Sequence, residues 1–239
     1  MDLTFARVLI VGGTSGIGLA VATAVAEHGG TPIVASRNPP SVDRALELLG
    51  GDAEGIVVNL ADSASVEAMA TSAGSVDHLA YTAGEPLSLR LLADITPEIA
   101  RSFFDTRYVG ALTAIRAVVP AIRPNGSITL TSGSAGDRPG AGWSLGASIC
   151  GAINSLTRAL AIELAPLRVN AVSPGVLRSP LWAGMSEIDR ETMFAEIGAG
   201  LPLGRVGEVE DVARAYIYAM TQSFGTGTVI PVDGGTTIA

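Results

Sequence analysis

The residues best suited to chemistry lie in a glycine-rich loop near the N-terminus. A short apolar run, VLIV, is followed by GGTSGIG, with glycines at positions 12, 16 and 18. Gly12 lets the chain turn sharply, Gly16 lets the backbone approach a pyrophosphate, and Gly18 lets a helix pack closely on a strand. The following helix start offers unpaired N–H groups and partial positive charge to phosphates. The spacing predicts a dinucleotide site that uses Gly12, Thr14, Ser15, Gly16, Ile17 and Gly18.

The end of the second predicted strand indicates which dinucleotide is bound. NAD sites of this architecture carry an acid there, which holds the ribose 2′-hydroxyl. This chain has Ser36 followed by Arg37. No carboxylate repels a 2′-phosphate, and a guanidinium can pair with one. The alternative is that Arg37 is an ordinary solvated arginine; we expect NADP(H).

Strand-like and helix-like segments alternate along the chain and must position these residues. Predicted strands cover residues 7–11, 32–36, 55–58, 78–81, 127–131, 168–172 and 227–231. Predicted helices cover residues 16–28, 41–49, 63–73, 96–122, 146–165 and 209–221. This alternation predicts an α/β fold with a Rossmann-type doubly wound parallel sheet. We expect a single domain over residues 1–239, with a substrate-side insertion at about residues 174–202.

Composition excludes several classes of function. The 239 residues carry a net charge of −8, which leaves no basic surface for nucleic acid. No apolar run reaches the roughly 18–20 residues of a membrane span. Asp2 stands where a signal peptide would need a cation, and the single cysteine, Cys150, excludes an internal disulfide framework. No metal-ligand cluster is visible. We expect a soluble, cytoplasmic protein.

The motifs together resemble the short-chain dehydrogenase/reductase family over nearly the whole chain. The glycine spacing G-x-x-x-G-x-G, Ala83-Gly84 and the run VNAVSPG at residues 169–175 resemble family motifs in the family's order, as do residues 202–207 and 232–235. The resemblance implies the family's nicotinamide-cofactor fold. It also implies further cofactor contacts at Asn59, Leu60, Ala83, Gly84, Pro174, Gly175, Leu177 and Ser179.

The family's catalytic residues are missing. Counting back from LTRALA at residues 156–161, the tyrosine and lysine of the family's Tyr-x-x-x-Lys motif fall on Gly146 and Cys150. The family's catalytic serine falls on Gly133 and its supporting asparagine on Arg107, and the chain contains no lysine at all. Loss of a positioned general acid costs on the order of 10²–10⁴ in rate. Ordinary alcohol–ketone interconversion by the family mechanism is therefore not expected.

Four residues remain as weak catalytic candidates, each with a simpler alternative. Arg107 could stabilise an oxyanion or clamp a carboxylate, or it could close a helix–helix contact. Ser132 and Ser134 could act as catalysts or as hydrogen-bonded hydroxyls at a strand end. Tyr81 could stack on the cofactor or donate a proton, or it could simply pack.

Four other side chains are expected near the same predicted site. Arg138 could approach the site. Asp137 could act as an acid or base, or it could be solvated beside Arg138. We expect Trp143 and Trp182 on the substrate side, Trp182 on a mobile insertion.

Two hypotheses about function follow. The first is an NADP(H)-dependent oxidoreductase with a non-standard site, for example one that reduces an iminium ion. The second is a catalytically silent subunit, or a non-redox cyclase or isomerase scaffold, that acts with a partner. The ligand in both is a small molecule, and we expect a homodimer or homotetramer, or a hetero-oligomer with an active homologue.

Overall fold

Seven parallel strands form the centre of the protein. The computed structural model describes residues 2–87 and 89–239. The strands are β1 Arg7–Val11, β2 Thr31–Ser36, β3 Glu54–Val57, β4 Val76–Tyr81, β5 Ile122–Thr131, β6 Arg168–Pro174 and, after two short strands described below, β9 Val229–Val232. Their order is β3-β2-β1-β4-β5-β6-β9. The predicted Rossmann-type doubly wound sheet is confirmed.

Both faces of this sheet are buried, which explains the continuous apolar runs of the strands. In β1, Leu9 and Val11 point into one core, whereas Val8 and Ile10 point into the other. All four are completely buried. This alternation of successive side chains gives the sheet a hydrophobic layer on each side.

Eight α-helices surround the sheet in the part of the chain that is described. They are α1 Gly16–Glu27, α2 Pro39–Leu49, α3 Ser63–Ala73, α4 Pro97–Phe104, α5 Gly110–Val118, α6 Ser144–Glu163, α7 Glu187–Ala199 and α8 Val209–Thr221. The prediction of one helix over residues 96–122 is wrong. A π-helical turn, Asp105–Val109, separates α4 from α5, and Ile122 already belongs to β5. Pro120 lies in the 3₁₀ turn that ends α5, where its missing N–H prevents continuation.

Residues 174–202, predicted as a substrate-side insertion, contain a short strand, a 3₁₀ turn and a helix. These are β7 Leu177–Arg178, the 3₁₀ turn at Pro180–Trp182 and α7. Strand β7 pairs in parallel with β8, Gly207–Glu208. Trp182, Phe194 and Val206 form a small core of their own, and the insertion is thereby fixed beside the carboxyl ends of the strands.

Helix α6 is long and apolar enough to pass a length-and-composition test for a membrane span. It packs against β5 and β6 in this fold, and Ile153, Leu156 and Leu160 lie buried in the core. We therefore interpret it as a core helix.

Candidate functional site

A cleft of about 520 Å³ opens along the carboxyl ends of the central strands. Ligands bind at this edge of doubly wound sheets. Every residue that the sequence assigned to the cofactor lines this cleft, as do the four weak catalytic candidates. Residues that are far apart in the chain are thus brought together in one place.

The glycine loop has the geometry that a pyrophosphate requires. Gly12 has φ of +89°, and a Cβ on Gly18 would lie 2.2 Å from the Gly12 carbonyl oxygen, so α1 reaches the strand only because both are glycines. Ser15 caps α1 without a side-chain hydrogen bond, and the first turn carries no acidic residue. The first amides of α1 are therefore available to an anion, and the described residues fit the diphosphate of a dinucleotide.

The end of the cleft beside β2 is free of acids. Ser36, Arg37, Asn59 and Leu60 line it. Arg37 is exposed and takes part in no ion pair within residues 2–87 and 89–239. Asn59 accepts a hydrogen bond from the Ala61 amide (3.2 Å), which shapes the turn after β3.

The opposite rim comes from the turn after β6. A Cβ on Gly175 would lie 2.9 Å from Cα of Asp233, so this turn packs directly against the C-terminal segment. The Leu177 carbonyl accepts a hydrogen bond from the Trp182 indole N–H (3.1 Å). Pro174 and Ser179 lie on either side of this rim and line the same cleft.

Gly146 and Cys150, on which the sequence resemblance places the family's tyrosine and lysine, both line the cleft. Gly146 has no side chain, and a Cβ there would touch the indole of Trp143 at 3.4 Å. The Cys150 Sγ lies 3.0 Å from where a Cβ of Gly133 would be, so the thiol occupies the space of a side chain at 133. Burial raises the pKa of the Cys150 thiol to about 11, against the opposing effects of Ser132, the Gly136 amide and Arg107. The thiol is therefore neutral at physiological pH.

Three of the four weak catalytic candidates make contacts that favour a structural role. The Ser132 hydroxyl lies 2.6 Å from Asn154 Oδ1 and 3.2 Å from the Cys150 carbonyl, which ties β5 to α6. Ser134 is buried at the start of a 3₁₀ turn. The buried Tyr81 hydroxyl donates to the Thr106 carbonyl, and burial, reinforced by the charge of Glu85, raises the pKa of the phenol.

Arg107, the fourth candidate, belongs to an ion pair inside the cleft. It lies in the π-helical turn, with its guanidinium 4.4 Å from the centre of the Phe103 ring. Nη1 is 3.3 Å from a Glu85 carboxylate oxygen, and Nη2 donates to the Glu85 carbonyl. Burial lowers the pKa of Arg107, whereas Glu85 raises it. Sequence reasoning missed Glu85; its position directly after Ala83-Gly84 was the available signal.

The part of the cleft beneath the loop after β4 and residues 180–182, here called the chamber, is otherwise lined by aromatic and apolar side chains. The rings of Trp143 and Trp182 lie edge to face at 6.2 Å, and Trp182 is only 3% exposed. Trp182 is buried by a small core that contains Phe194, and the expected mobility of its segment stays a prediction. The Leu87 amide donates to the Leu181 carbonyl (2.9 Å), so the loop after β4 and the insertion together roof the chamber.

Asp137 and Arg138 lie outside the residues that line this cleft. Arg138 donates instead to the Thr236 carbonyl at 3.1 Å. Within residues 2–87 and 89–239, no three His, Cys, Asp or Glu side chains are grouped as a metal site would require.

Comparisons with known proteins agree with this geometry. The family model described as enoyl-(acyl carrier protein) reductase matches residues 11–237. The short-chain dehydrogenase/reductase malC of Malbranchea aurantiaca is 32% identical over 96% of this chain and 93% of its own length. The solved structure of MalC reductase/Diels-Alderase aligns with a TM-score of 0.92 and covers 99% of this chain and 98% of that one.

Two NADPH complexes are also similar. A small-chain dehydrogenase in complex with NADPH is 35% identical, with a TM-score of 0.87 over 98% of this chain and 100% of that one. An NADPH-bound short chain oxidoreductase from Pseudomonas aeruginosa PAO1, which contains an atypical catalytic center, is 25% identical, with a TM-score of 0.92 over 100% and 99% of the two chains. The chain belongs to the short-chain dehydrogenase/reductase family.

Proposed function

We propose that this chain is an NADP(H)-dependent reductase of a substrate that needs no proton from the protein, such as an iminium ion. One observation carries the proposal. The described cleft keeps a complete dinucleotide cradle, while Gly146 and Cys150 stand at the family's proton-relay positions. The two NADPH complexes among the similar structures support this choice of cofactor.

Different residues along the cleft would bind different parts of the cofactor. The first amides of α1 would bind the diphosphate, and Arg37 would pair with the 2′-phosphate. Asn59 and Leu60 would border the adenine, while Pro174, Gly175, Leu177 and Ser179 would hold the nicotinamide end. When bound, NADPH supplies a hydride. The aromatic roof over the chamber excludes water from the reacting carbon.

The absence of a proton donor selects the substrate class. Hydride addition to a ketone creates an alkoxide, which requires a positioned acid for fast reaction. Hydride addition to an iminium carbon reduces C=N⁺ to a neutral amine, so no proton has to be transferred in that step. The Tyr81 hydroxyl already donates to the Thr106 carbonyl. The buried Cys150 thiol is packed against Gly133. Neither nearby group is therefore placed to protonate an alkoxide.

Nucleotide binding and turnover test the proposal separately. Thermal unfolding with NADPH or NADH at 100-fold excess over the dissociation constant measures binding, which should stabilise the protein by about 2.7 kcal/mol. NADPH oxidation is then followed with a panel of cyclic iminium ions and matched cyclic ketones. We expect a larger shift with NADPH and turnover of iminium ions only. Turnover of ketones alone, or no shift with either nucleotide, would refute it.

A second candidate is a cyclase scaffold, with or without redox turnover. It is favoured by the roofed aromatic chamber and by the likeness to MalC reductase/Diels-Alderase. A scaffold would convert substrate to a cyclised product without consuming NADPH. A silent subunit would instead show activity only beside an active homologue.

We also propose a cytoplasmic homodimer or homotetramer. Exposed apolar side chains on α5 and α6 and before β9 support self-association, among them Leu112, Ile162 and Phe224. Light scattering after size-exclusion chromatography should give a mass of two or four times 24.2 kDa. A monomer that associates only with a second protein would favour the hetero-oligomer.

A further inference from the structure

Glu85 is an acid placed among groups that otherwise favour apolar ligands. It follows Ala83-Gly84 at the carboxyl end of β4, and among the described residues that line the cleft it is the only acidic one. Its side chain is 44% exposed, so carboxylate lone pairs remain accessible. A charged side chain that lines an apolar cavity usually has a bound ligand or a structural partner.

The carboxylate is held in a fixed orientation by its neighbours. The Thr106 hydroxyl donates to Oε1, and Arg107 Nη1 lies 3.3 Å from Oε2. The same guanidinium binds the backbone carbonyl of Glu85 through Nη2. Two contacts to the side chain and one to the main chain leave Glu85 little freedom, which favours ligand binding because little conformational entropy remains to be lost.

The guanidinium of Arg107 is less available than the carboxylate. Its side chain is only 14% exposed, and one face of it covers the Phe103 ring. Among the aromatic rings lining the chamber, the half-buried indole of Trp143 remains for a ligand, and the buried Trp182 supports it edge to face. Indole faces attract cations. The accessible part of the chamber is therefore electronegative, although the Glu85–Arg107 pair is neutral as a whole.

We infer that Glu85 binds the positively charged nitrogen of the substrate, while Trp143, supported by Trp182, holds the apolar body attached to it. The ligand class is a cyclic iminium ion or protonated ring amine that bears an aryl or alkyl frame. The inference rests on the proposed function, and it names the residue that selects the substrate. Arg107 is then a positioning residue that keeps the carboxylate aimed into the chamber.

The two tryptophans provide a direct binding assay, because they are the only two in the chain and both line the cleft. Quenching of their fluorescence in the NADP⁺-loaded protein is measured with three probes that share one ring: benzyltrimethylammonium, benzyl alcohol and phenylacetate. We expect the cation to bind about fivefold more tightly than the neutral alcohol, from one half-exposed ion pair and an indole face, and the anion to bind most weakly.

Two variants separate this role from a structural one. Glu85→Gln keeps the shape of the side chain, one oxygen that can accept from Thr106, and the backbone carbonyl that accepts from Arg107. It should abolish the preference for the cation while leaving benzyl alcohol binding unchanged. Glu196→Gln makes the same charge change at an exposed position on α7, and it should behave as wild type.

The outcomes are distinct. Tighter binding of phenylacetate would show that Arg107 meets an anion and would overturn the inference, as would equal weakening of all three probes by Glu85→Gln. A nucleotide-induced thermal shift is measured on every variant. If that shift is absent in the wild type, the proposed function fails; if it is present without a preference for the cation, only the role of Glu85 fails.

Discussion

Adding a side chain at position 133 should destabilise the protein unless the thiol at position 150 is removed at the same time. A Cβ on Gly133 would lie 3.0 Å from Cys150 Sγ, and ordinary contacts of this kind begin near 3.4 Å. The thiol has little room to retreat, because Cys150 is buried in a cluster with Ala135 and Ile149. Gly133→Ser should therefore cost roughly 1–3 kcal/mol of unfolding free energy through overpacking.

Chemical unfolding of four proteins measures this effect. They are the wild type, Gly133→Ser, Cys150→Ala and the double variant. Cys150→Ala alone loses a buried sulfur, at a cost of about 1 kcal/mol. In the double variant the serine occupies the space of the thiol, so its unfolding free energy should exceed the additive expectation by roughly 1–2 kcal/mol. For a chain of this length, Tm moves by roughly 2–4 °C per kcal/mol.

A matched control lies one residue further along α6. A Cβ on Gly151 would meet nothing within 4 Å, so Gly151→Ala should stabilise the helix by up to about 1 kcal/mol. The reasoning is refuted if the effects of Gly133→Ser and Cys150→Ala add within about 0.5 kcal/mol. Such additivity would mean that the two positions are not packed as a unit.

Three further predictions concern the cofactor, acid stability and the thiol. Arg37→Ala should weaken NADPH binding by about tenfold through loss of a charge-assisted hydrogen bond and leave NADH binding unchanged; an equal loss for both nucleotides by calorimetry would contradict this. Burial, with a smaller effect from Arg168, lowers the pKa of His78 to about 4 from 6.5, so its contribution is present above pH 6.5 and lost as pH falls toward 4. Wild type should lose about 2 kcal/mol from this group between pH 7 and pH 5, and His78→Asn should not; equal losses in urea unfolding would argue against it. Because the Cys150 thiol is buried with a pKa of about 11, a disulfide reagent at pH 8 should label it only after unfolding, and rapid labelling of the native protein would contradict that burial.

The fold and the cofactor cradle were readable from the sequence because their signals are local. Gly12, Gly16 and Gly18 lie within one loop, and each apolar strand run is interpretable by itself. Strand β1 and helix α8 begin and end at the predicted residues. The prediction that Gly146 and Cys150 replace the family's tyrosine and lysine also rests on a local signal, their spacing from residues 156–161, and it stays a prediction.

The substrate side was not readable, because it depends on tertiary contacts. The helical periodicity of residues 96–122 gives no sign of the π-helical turn. This turn contains Arg107, which forms an ion pair with Glu85. Residues 85 and 107 lie on different elements, and nothing in the sequence pairs them. Similarly, Trp182 is buried by Phe194 and Val206, which follow it in an insertion whose own helix, α7, was not predicted.

The most direct test of the central claim is a single-turnover measurement of NADPH oxidation with N-methyl-3,4-dihydroisoquinolinium, in H₂O and in D₂O, with NADPH and with NADPH deuterated at the transferred position. Hydride transfer without a protein proton donor predicts a primary isotope effect from the deuterated cofactor and none from D₂O. It also predicts that 1-tetralone, the corresponding ketone, is not reduced. Reduction of the ketone with a solvent isotope effect would contradict the claim, because it would reveal a proton donor in the cleft.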